Sequence, residues 1–286
     1  MTKNKQPTTF NDHYILCNGI NTRYWRAGEG KDILILVHGL GGSIDFWHSQ
    51  VKALSTYYTV YALDMVGFGR TEKPDVDYGY RYFAQFLRSF FDVMGIHRAS
   101  LVGHSLGGGI CLQFAVYYPE KVHHLVLVAS GGLSREFTLS LRILTLPFIG
   151  EALFKMSLKK PESIIEGLFY KKSGAPEELV RVFSEIYAKP DARHAFLKTL
   201  RNNATLFNGT KESISDIVPH LSGITARTLV IWGRQDRVIP FHVAKIPLQF
   251  IPQAELWALD GCGHVPFFDR PQLFNKRVKE FLSARE

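Results

Sequence analysis

The sequence predicts an α/β fold in which a mostly parallel central sheet is flanked by helices and carries an inserted helical cap. Short, continuous runs of β-branched and aliphatic residues recur along the chain, and such runs are typical of strands buried on both faces of a parallel sheet. Helical stripes of apolar residues follow most of these runs. Between residues 133 and 219 the alternation stops, and helical patterns continue without a convincing buried strand.

The first part of the chain is predicted to begin with a hairpin and then to alternate strands with helices. Residues 14–25 alternate apolar and polar side chains around Asn18-Gly19, which predicts a hairpin with a glycine turn. The predicted strands that follow cover residues 33–37, 57–63, 99–102 and 122–129. Apolar residues at helical spacing lie between several of them: Phe46, Trp47, Val51 and Leu54, and then Phe83, Phe86, Leu87, Phe90 and Phe91.

The last part of the chain resumes the alternation of strand and helix. Strands are predicted at residues 228–232 and 255–259. A helix over residues 241–249, bent near Pro247, lies between them. An amphipathic helix over residues 271–282 closes the chain.

The strands before and after the helical segment should belong to one sheet, because a single layered core buries them all. We therefore expect one core domain made of residues 1–132 and 220–286, with residues 133–219 inserted as a helical cap.

The composition is ordinary for a globular chain of 286 residues, of which 46% are hydrophobic and 21% charged. The formal net charge of +8 is scattered in short pairs such as Lys159-Lys160 and Lys171-Lys172. These pairs lack the aromatic-interleaved stripe of a nucleic-acid surface. We expect a basic surface that aids solubility and no nucleic-acid partner; attraction to anionic substrates or membrane surfaces is the alternative.

The cysteines and the hydropathy pattern predict a cytoplasmic protein without an integral membrane segment. Cys17, Cys111 and Cys262 are an odd set with wide spacing and no Cys-x-x-Cys pair, and a buried free thiol is expected at Cys111. Residues 1–7 are polar and precede no apolar core, so no secretory signal is expected. No apolar run approaches the ~20 residues that span a bilayer.

The stretch that organises the chain is Gly103-His104-Ser105-Leu106-Gly107, between an apolar run and a helical pattern. As strand, tight turn and helix, it places Ser105 at the tip, where a non-glycine residue is forced toward positive φ at a cost of about 1–3 kcal/mol. Gly103 and Gly107 relieve crowding where the strand and the helix meet. The serine hydroxyl then projects at the carboxyl edge of the sheet. The alternatives are a helix N-cap or a phosphate-binding loop.

A nucleophilic serine needs a base and an orienting acid, and two later loops supply them. Asp236 follows the strand at 228–232, and His264 follows the strand at 255–259. Histidine titrates near neutrality and suits a general base, while the aspartate would fix its tautomer and stabilise the imidazolium. Asp260, on the same loop as His264, is the competing acid.

Two backbone N–H groups are expected to form an oxyanion hole, one from Leu106 after the nucleophile and one from Leu40 after the strand at 33–37. The neighbouring glycines Gly39, Gly41 and Gly42 let that loop pass close to a substrate. His38 is expected to brace the loop. Gly39, Gly41, His104 and Val265 are the predicted pocket residues.

These motifs together resemble those of the α/β-hydrolase superfamily, over most of the chain outside the predicted cap. The resemblance rests on five stretches: residues 38–42, 64–69, 103–107, 232–240 and 261–268. It implies an α/β-hydrolase fold and a Ser105-His264-Asp236 triad, because the superfamily places serine, acid and histidine in that chain order.

Within the superfamily the chain looks like the capped branch of carboxylesterases, haloperoxidase-like enzymes and meta-cleavage-product hydrolases. The stretch 64–74 is also similar to haloalkane dehalogenases and epoxide hydrolases. Those families use an aspartate nucleophile, and Ser105 stands in its place here, which disfavours both activities.

The meta-cleavage-product hydrolases cut a carbon–carbon bond in a vinylogous keto acid with the same triad, and residues 130–133 resemble theirs. Two departures count against this activity. His104 stands where that family commonly has Asn, and Val265 stands where it tends to carry Trp. An arginine should bind the acid end of such a substrate, with Arg193 and Arg201 in the cap as candidates.

The expected function is therefore hydrolysis of an apolar carboxylic ester, such as an acylglycerol-type or other small-molecule ester, through an acyl-enzyme. Carbon–carbon bond hydrolysis is the alternative, and so is a small-molecule receptor that keeps the triad without turnover, since function lives in the site rather than the fold. No metal or organic cofactor is expected. The expected partner is a small-molecule ester, and the expected assembly is a monomer or a homodimer.

Overall fold

Runs of apolar residues form the strands of one eight-stranded sheet in the computed structural model, which describes residues 10–171, 175–210 and 212–284. Two predictions concern positions outside these described residues. They are residues 1–7, where no secretory signal is expected, and Lys172 of the Lys171-Lys172 pair. The strands are β1 His13–Cys17, β2 Ile20–Ala27, β3 Ile33–Val37, β4 Thr59–Leu63, β5 Ala99–His104, β6 Val122–Val128, β7 Arg227–Gly233 and β8 Ala254–Leu259.

The sheet runs in the order β1-β2-β4-β3-β5-β6-β7-β8. β2 pairs antiparallel with both β1 and β4, and every later pair is parallel. The predicted hairpin is confirmed, with Asn18 and Gly19 both at positive φ in its turn. Because the strands from β3 to β8 run parallel, their carboxyl ends meet at one edge of the sheet, and the loops that follow them lie there.

The helices flank this sheet and connect its strands. The α-helices of the core are α1 His48–Leu54, α2 Tyr80–Val93 and α3 Leu106–Tyr117 before residue 133, and α10 Lys245–Phe250, α11 Pro266–Asp269 and α12 Pro271–Ser283 after residue 219. Short 3-10 helices cover Ile44–Trp47, Pro119–Lys121, Val218–Gly223 and Phe241–Ala244. The predicted helix at 241–249 is thus divided, since Pro247 lies within α10 and lacks the N–H that would continue the hydrogen bonding.

Residues 133–219 contain helices and no strand of the sheet, as far as the structure describes them. They are α4 Leu139–Leu144, α5 Ile149–Ser157, α6 Pro161–Glu166, α7 Glu177–Tyr187, α8 Pro190–Asn203 and α9 Glu212–Ser215. In α7, the residues Leu179, Val182, Phe183 and Ile186 recur at helical spacing and are buried. The segment is called the 133–219 segment below.

The hydrophobic core lies on both sides of the sheet, and the three cysteines are buried in this core. Strands β4 and β5 are buried along their whole length, as expected for the middle of a parallel sheet. Cys17, Cys111 and Cys262 are all buried free thiols. Burial raises the pKa of Cys111 far above its ordinary value and that of Cys262 to about 11. No described helix has the length and hydropathy needed to cross a bilayer.

Candidate active site

Ser105 lies at the sharp turn between β5 and α3, as predicted. Its φ of 52° puts it in the left-handed region that non-glycine residues rarely adopt. The turn is tight: a Cβ on Gly103 would lie 2.4 Å from the Gly107 carbonyl oxygen, and one on Gly107 would lie 2.3 Å from that of Val37. The Ser105 carbonyl accepts hydrogen bonds from the N–H groups of Gly108, Gly109 and Gly131, which hold the strained turn in place.

His264 and Asp236, from the loops after β8 and β7, form a buried pair. His264 Nδ1 lies 2.8 Å from Asp236 Oδ2, and both side chains are at most 3% exposed. The other carboxylate oxygen, Oδ1, accepts hydrogen bonds from the N–H groups of Val238 and Ile239. Because a carboxylate only accepts, His264 Nδ1 carries the proton and Nε2 is left with a free lone pair. That is the tautomer a general base needs.

Ser105 and His264 line the same cavity. No hydrogen bond between the Ser105 hydroxyl and the His264 ring occurs among residues 10–171, 175–210 and 212–284. Nucleophile–base hydrogen bonds are often long before substrate binds. Asp260, the competing acid, lies elsewhere: it is 83% exposed and pairs with Arg234 at 3.3 Å.

His104, the residue before Ser105, is buried beside His264. Its Nε2 donates a hydrogen bond of 2.9 Å to the His264 carbonyl oxygen, and the two rings are 4.7 Å apart. The ring also packs edge-on against Phe267. His104 therefore ties the turn at Ser105 between β5 and α3, called the elbow below, to the backbone of His264.

The loop after β3 passes over the elbow, where an oxyanion hole is expected. A Cβ on Gly39 would lie 3.0 Å from the Ser105 Cβ, so the loop backbone runs directly against the nucleophile turn. Leu40 and Leu106 both line the cavity. In the part of the chain that the structure describes, neither of their N–H groups donates to a protein acceptor.

His38 holds this loop in place through two hydrogen bonds of its ring. Its Nε2 accepts a hydrogen bond of 3.0 Å from the Met65 N–H, so the proton is on Nδ1, which donates to the Gly39 carbonyl oxygen at 2.8 Å. The ring is thus neutral and satisfied on both sides, and it links the loop after β3 to the loop after β4.

A buried ion cluster around Arg23 supports the same two loops. The guanidinium pairs with Asp12, Asp45 and Asp64 at 2.8 to 3.2 Å. Burial disfavours the charged form of the guanidinium, but the neighbouring carboxylates favour that form more strongly, so the pKa of Arg23 is raised. Asp64 also accepts hydrogen bonds from the N–H groups of Ile44 and Arg70, so one carboxylate joins both loops. Nothing in the sequence pattern pointed to this cluster, because its members come from distant parts of the chain.

The buried histidines give the folded protein a predictable pH response. Burial lowers the pKa of His38 below its ordinary value and that of His104 well below it. Well above pH ~6.5 both are neutral whether folded or unfolded, but as the pH falls through this value the unfolded chain takes up protons more readily than the folded chain. We expect the free energy of unfolding to fall as the pH is lowered, by up to about 1.4 kcal/mol per pH unit for each histidine. Urea denaturation between about pH 7.5 and 5.5 measures this fall.

The control for this pH response is the exposed His97. We expect His104→Asn to flatten the dependence of stability on pH and His97→Asn to leave it unchanged, because His97 lies at the surface. Equal slopes in the wild type and in His104→Asn would contradict this prediction.

The cavity above Ser105 has a volume of about 190 Å³ and a mostly apolar wall. The core supplies Ser130, Gly131, Val238 and Ile239 at its base, among others. The 133–219 segment supplies much of the remainder, mainly large apolar side chains: Phe137, Leu141, Phe154, Ile164, Ile165, Leu168, Phe183, Phe196 and Leu200. The lining contains no lysine or arginine among the described residues, and its one carboxylate, Glu136, pairs with His242 at 2.9 Å.

Three of the four predicted pocket residues, Gly39, Gly41 and His104, line this cavity. Val265 does not, which corrects the prediction. It is fully buried in the core because the chain turns there into α11, and its carbonyl oxygen accepts hydrogen bonds from the Phe268 and Asp269 N–H groups.

The two arginines considered as candidates for binding a substrate carboxylate make other contacts. Arg193 Nη1 donates to the carbonyl oxygens of Tyr187 and Ala188. Arg201 donates to carbonyl oxygens of the α4–α5 turn and pairs with Glu151 at 2.8 Å. Neither lines the cavity above Ser105.

Sequence reasoning missed most of the residues in the cavity wall. Residues 130–132 were recognisable as a glycine-bearing loop at the carboxyl end of a strand, where pockets form in α/β sheets. The sequence does predict that leucine, isoleucine and phenylalanine of the cap supply an apolar pocket wall, but it does not single out the lining residues, because helical apolar stripes look the same whether they face a core or a cavity.

The fold and the residues gathered at its carboxyl edge are those of an α/β hydrolase. The family model for the alpha/beta hydrolase fold matches residues 32–271, and the chain belongs to that family.

Three comparisons show what the chain is similar to. It is 32% identical over 278 residues to an uncharacterized protein of Mycobacterium tuberculosis, covering 94% of this chain and 80% of that protein. It is 29% identical over 282 residues to a 2-hydroxy-6-oxo-2,4-heptadienoate hydrolase of Pseudomonas putida, covering 95% and 96%. The structure of a meta-cleavage product hydrolase from Pseudomonas fluorescens superposes with a TM-score of 0.80 at 27% identity, covering 96% and 97%.

Proposed function

We propose that this α/β hydrolase cleaves neutral carboxylic esters with an apolar acyl or alcohol group. One observation carries the proposal: Ser105 and His264 share a cavity whose wall is mostly apolar and bears no lysine or arginine among the described residues.

The chemistry follows from the three side chains at the carboxyl edge. Ser105 attacks the ester carbonyl while His264 Nε2 takes its proton, and Asp236 holds the imidazole and stabilises the imidazolium. The negative oxygen is received by the N–H groups of Leu40 and Leu106. His264 then returns the proton to the leaving alcohol, which gives an acyl-enzyme. Water activated by the same histidine releases the acid and restores the serine.

The substrate is proposed to be neutral because the described lining residues include no lysine or arginine to balance a negative charge, and the two lining histidines are already engaged by the His264 backbone and by Asp236. An ion taken out of water without a partner loses several kcal/mol of solvation, even after the protein relaxes. The one ionisable carboxyl in the wall, that of Glu136, would repel a substrate carboxylate. A carbonyl flanked by hydrocarbon meets no such penalty and gains from burial against the phenylalanines.

The 133–219 segment is proposed to act as the cap that shapes the substrate pocket above the core of residues 1–132 and 220–286. Support comes from its contribution of phenylalanines and leucines to the cavity wall. The His264 N–H also donates to the Leu168 carbonyl oxygen at 2.9 Å, so the cap touches the backbone of the proposed base.

Two p-nitrophenyl esters of equal chain length test the proposal, one neutral and one ending in a carboxylate. We expect kcat/KM for the neutral ester to exceed that for the charged ester by about a hundredfold, because the charged one must lose its hydration. Stopped assays of p-nitrophenol release measure both. The Glu136→Gln variant is the matched control and should narrow the difference only a few-fold, because this side chain is 49% exposed. Faster turnover of the charged ester would contradict the proposal.

Carbon–carbon bond hydrolysis is the second candidate, and the similarity to the Pseudomonas hydrolases favours it. It requires the cavity to hold the carboxylate of a dienoic acid, and the described lining residues include no lysine or arginine to pair with it. A 2-hydroxy-6-oxo-2,4-heptadienoate substrate, included in the same assay, distinguishes the two. A larger kcat/KM for this acid than for the neutral ester would decide in favour of the second candidate.

A further inference from the structure

The outer face of the 133–219 segment exposes large apolar side chains next to the cavity wall. Phe148 is 87% exposed and Phe207 is 84% exposed, and Leu139, Ile149 and Met156 are each more than half exposed. These five residues are called the outer patch. Isolated exposed apolar residues are common on soluble proteins, whereas a group of this size on neighbouring elements indicates a contact surface.

Hydrogen bonds hold the elements of the outer patch together. Arg142 Nε on α4 donates to the Leu206 carbonyl oxygen at 2.7 Å, which fixes the loop bearing Phe207 against α4. Arg201 on α8 donates to the Thr145 and Leu146 carbonyl oxygens and so fixes the turn from α4 to α5. The five apolar side chains are therefore presented by a defined surface.

Phe148 is the most unusual member of the outer patch. It is the N-cap residue just before α5 and has a φ of 63°, a backbone conformation that glycine or asparagine adopts far more readily than phenylalanine. A bulky aromatic ring is thus kept in a strained position and directed at solvent. Strained residues of this kind are concentrated at functional sites such as active sites, ligand clamps and switch regions.

The charges around the outer patch are mainly positive. On α5 and the residues that flank it, the exposed residues Phe148, Ala152, Lys155, Met156 and Lys159 recur three or four positions apart and share one helix face. The acidic residue of that helix, Glu151, is paired with Arg201. An apolar face bordered by lysines matches a membrane surface with anionic headgroups, where the hydrocarbon stems of lysine lie along the apolar region and the ammonium groups meet the phosphates.

A second cavity, of about 270 Å³, adjoins the same helix and is also basic. Lys155, Arg193 and His194 line it, together with Glu151 and apolar residues of α5 and α8. Arg193 donates to the Tyr187 and Ala188 carbonyl oxygens and His194 pairs with Asp75, so Lys155, which also lies on the exposed face of α5, is the cationic group that this cavity shares with the border of the outer patch. The sequence left attraction to a membrane surface as an alternative, and this lysine-bordered face of α5 is where such attraction would act.

We propose that the outer patch docks this protein on membranes that contain anionic phospholipid. Phe137, Leu141 and Phe154 line the catalytic cavity from the same part of the chain, so the docked face lies on the outside of that cavity wall. The docking itself does not depend on the proposed ester hydrolysis. The passage of an apolar ester from the lipid into the cavity does rest on it.

Co-sedimentation of the whole protein with vesicles tests the docking. The vesicles are made of phosphatidylcholine alone or of phosphatidylcholine and phosphatidylglycerol in equal parts. We expect binding to the anionic vesicles to be about tenfold stronger or more, and to weaken with added salt, because each nearby lysine adds a screened attraction. Equal binding to both kinds of vesicle, or binding to neither, would overturn the proposal.

The Phe148→Gly variant tests the apolar part of the outer patch. It should lower affinity for the anionic vesicles about tenfold or more, since a buried aromatic ring is lost from the lipid contact. Its melting temperature should not fall, because glycine adopts the local φ without strain. The matched control is Leu16→Ser on β1. Leu16 is 62% exposed but lies outside the 133–219 segment, so this variant should bind vesicles like the wild type. Unchanged binding by Phe148→Gly would refute the assignment.

The double variant Lys155→Gln/Lys159→Gln tests the charged part. Its control is Lys52→Gln/Lys276→Gln, with the same change in net charge on exposed positions of α1 and α12. We expect the first to lose about tenfold in affinity and the second less than about twofold. Equal losses would show attraction by net charge alone and would contradict docking through the outer patch.

Two further measurements separate this proposal from its rivals. Vesicle binding by Ser105→Ala, equal to that of the wild type, is expected, and hydrolysis of a soluble ester by Phe148→Gly should also be unchanged, so docking and catalysis can fail independently. Sedimentation velocity without lipid examines self-association. A dimer that Phe148→Gly abolishes, with no binding to anionic vesicles, would assign the outer patch to a second copy of the chain instead.

Discussion

Replacement of Ser105 by alanine is expected to abolish turnover of short p-nitrophenyl esters while leaving the fold intact. The variant removes the only atom that attacks the carbonyl in the proposed mechanism, and a loss of at least about 10⁴-fold in kcat is expected. The hydrogen bonds that hold the elbow use the backbone of residue 105, so alanine keeps them. Release of p-nitrophenol measures activity, and circular dichroism with a thermal melt measures folding. Turnover within about tenfold of the wild type would remove Ser105 from the mechanism.

The matched variant Ser105→Gly separates the chemistry of this residue from its strain. It should be as inactive as alanine but more stable by about 1 kcal/mol, because glycine adopts the φ of 52° without the penalty that a side chain incurs. A fluorophosphonate probe should label Ser105 in the wild type and neither variant, which peptide mass spectrometry verifies. Labelling at another residue would show that the reactive serine has been misassigned.

Replacement of Asp236 by asparagine is expected to lower kcat by about 10⁴-fold with little change in structure. The amide is the same size, and its oxygen can still accept from Val238 and Ile239. Its NH₂ group then faces His264 Nδ1 and favours the tautomer in which Nε2 carries the proton. An imidazole in that form cannot accept the proton of Ser105. Initial rates on the neutral ester measure the effect.

Asp260→Asn is the control for this variant, because it removes the other carboxyl of the two loops. Asp260 is 83% exposed and its ion pair with Arg234 is at the surface, so kcat should change by less than about twofold. A larger loss in Asp260→Asn than in Asp236→Asn would reverse the assignment of the acid.

The sheet was predictable from the sequence because each of its strands is a local feature. Runs such as Ile33–Val37 are continuously apolar only when both faces of a strand are buried, and the structure gives that strand the predicted bounds. A predicted strand boundary was wrong where the preceding turn also contains apolar residues. The strand predicted to start at Tyr57 begins at Thr59, because the Tyr57 and Tyr58 N–H groups donate to the Leu54 carbonyl oxygen at the end of α1.

The neighbourhood of Ser105 was predictable only in part. The glycines around it are required by close backbone contacts and therefore leave a visible spacing, and the loops of Asp236 and His264 follow recognisable strands. The bracing by Arg23 and the hydrogen bond from His104 to the His264 carbonyl join positions far apart in sequence, and no local pattern encodes them. Val265 was wrongly predicted to line the pocket for the same reason, since the position of its side chain depends on how the chain turns into α11.

The burial of all three cysteines has a practical consequence for measuring how this chain meets other molecules. Thiols that are enclosed and hard to ionise react slowly with maleimides, so the native protein needs no cysteine removed before labelling. A cysteine introduced by Phe148→Cys would carry an environment-sensitive fluorophore as the single fast-reacting site. Its emission would then report directly whether that position passes from water into lipid.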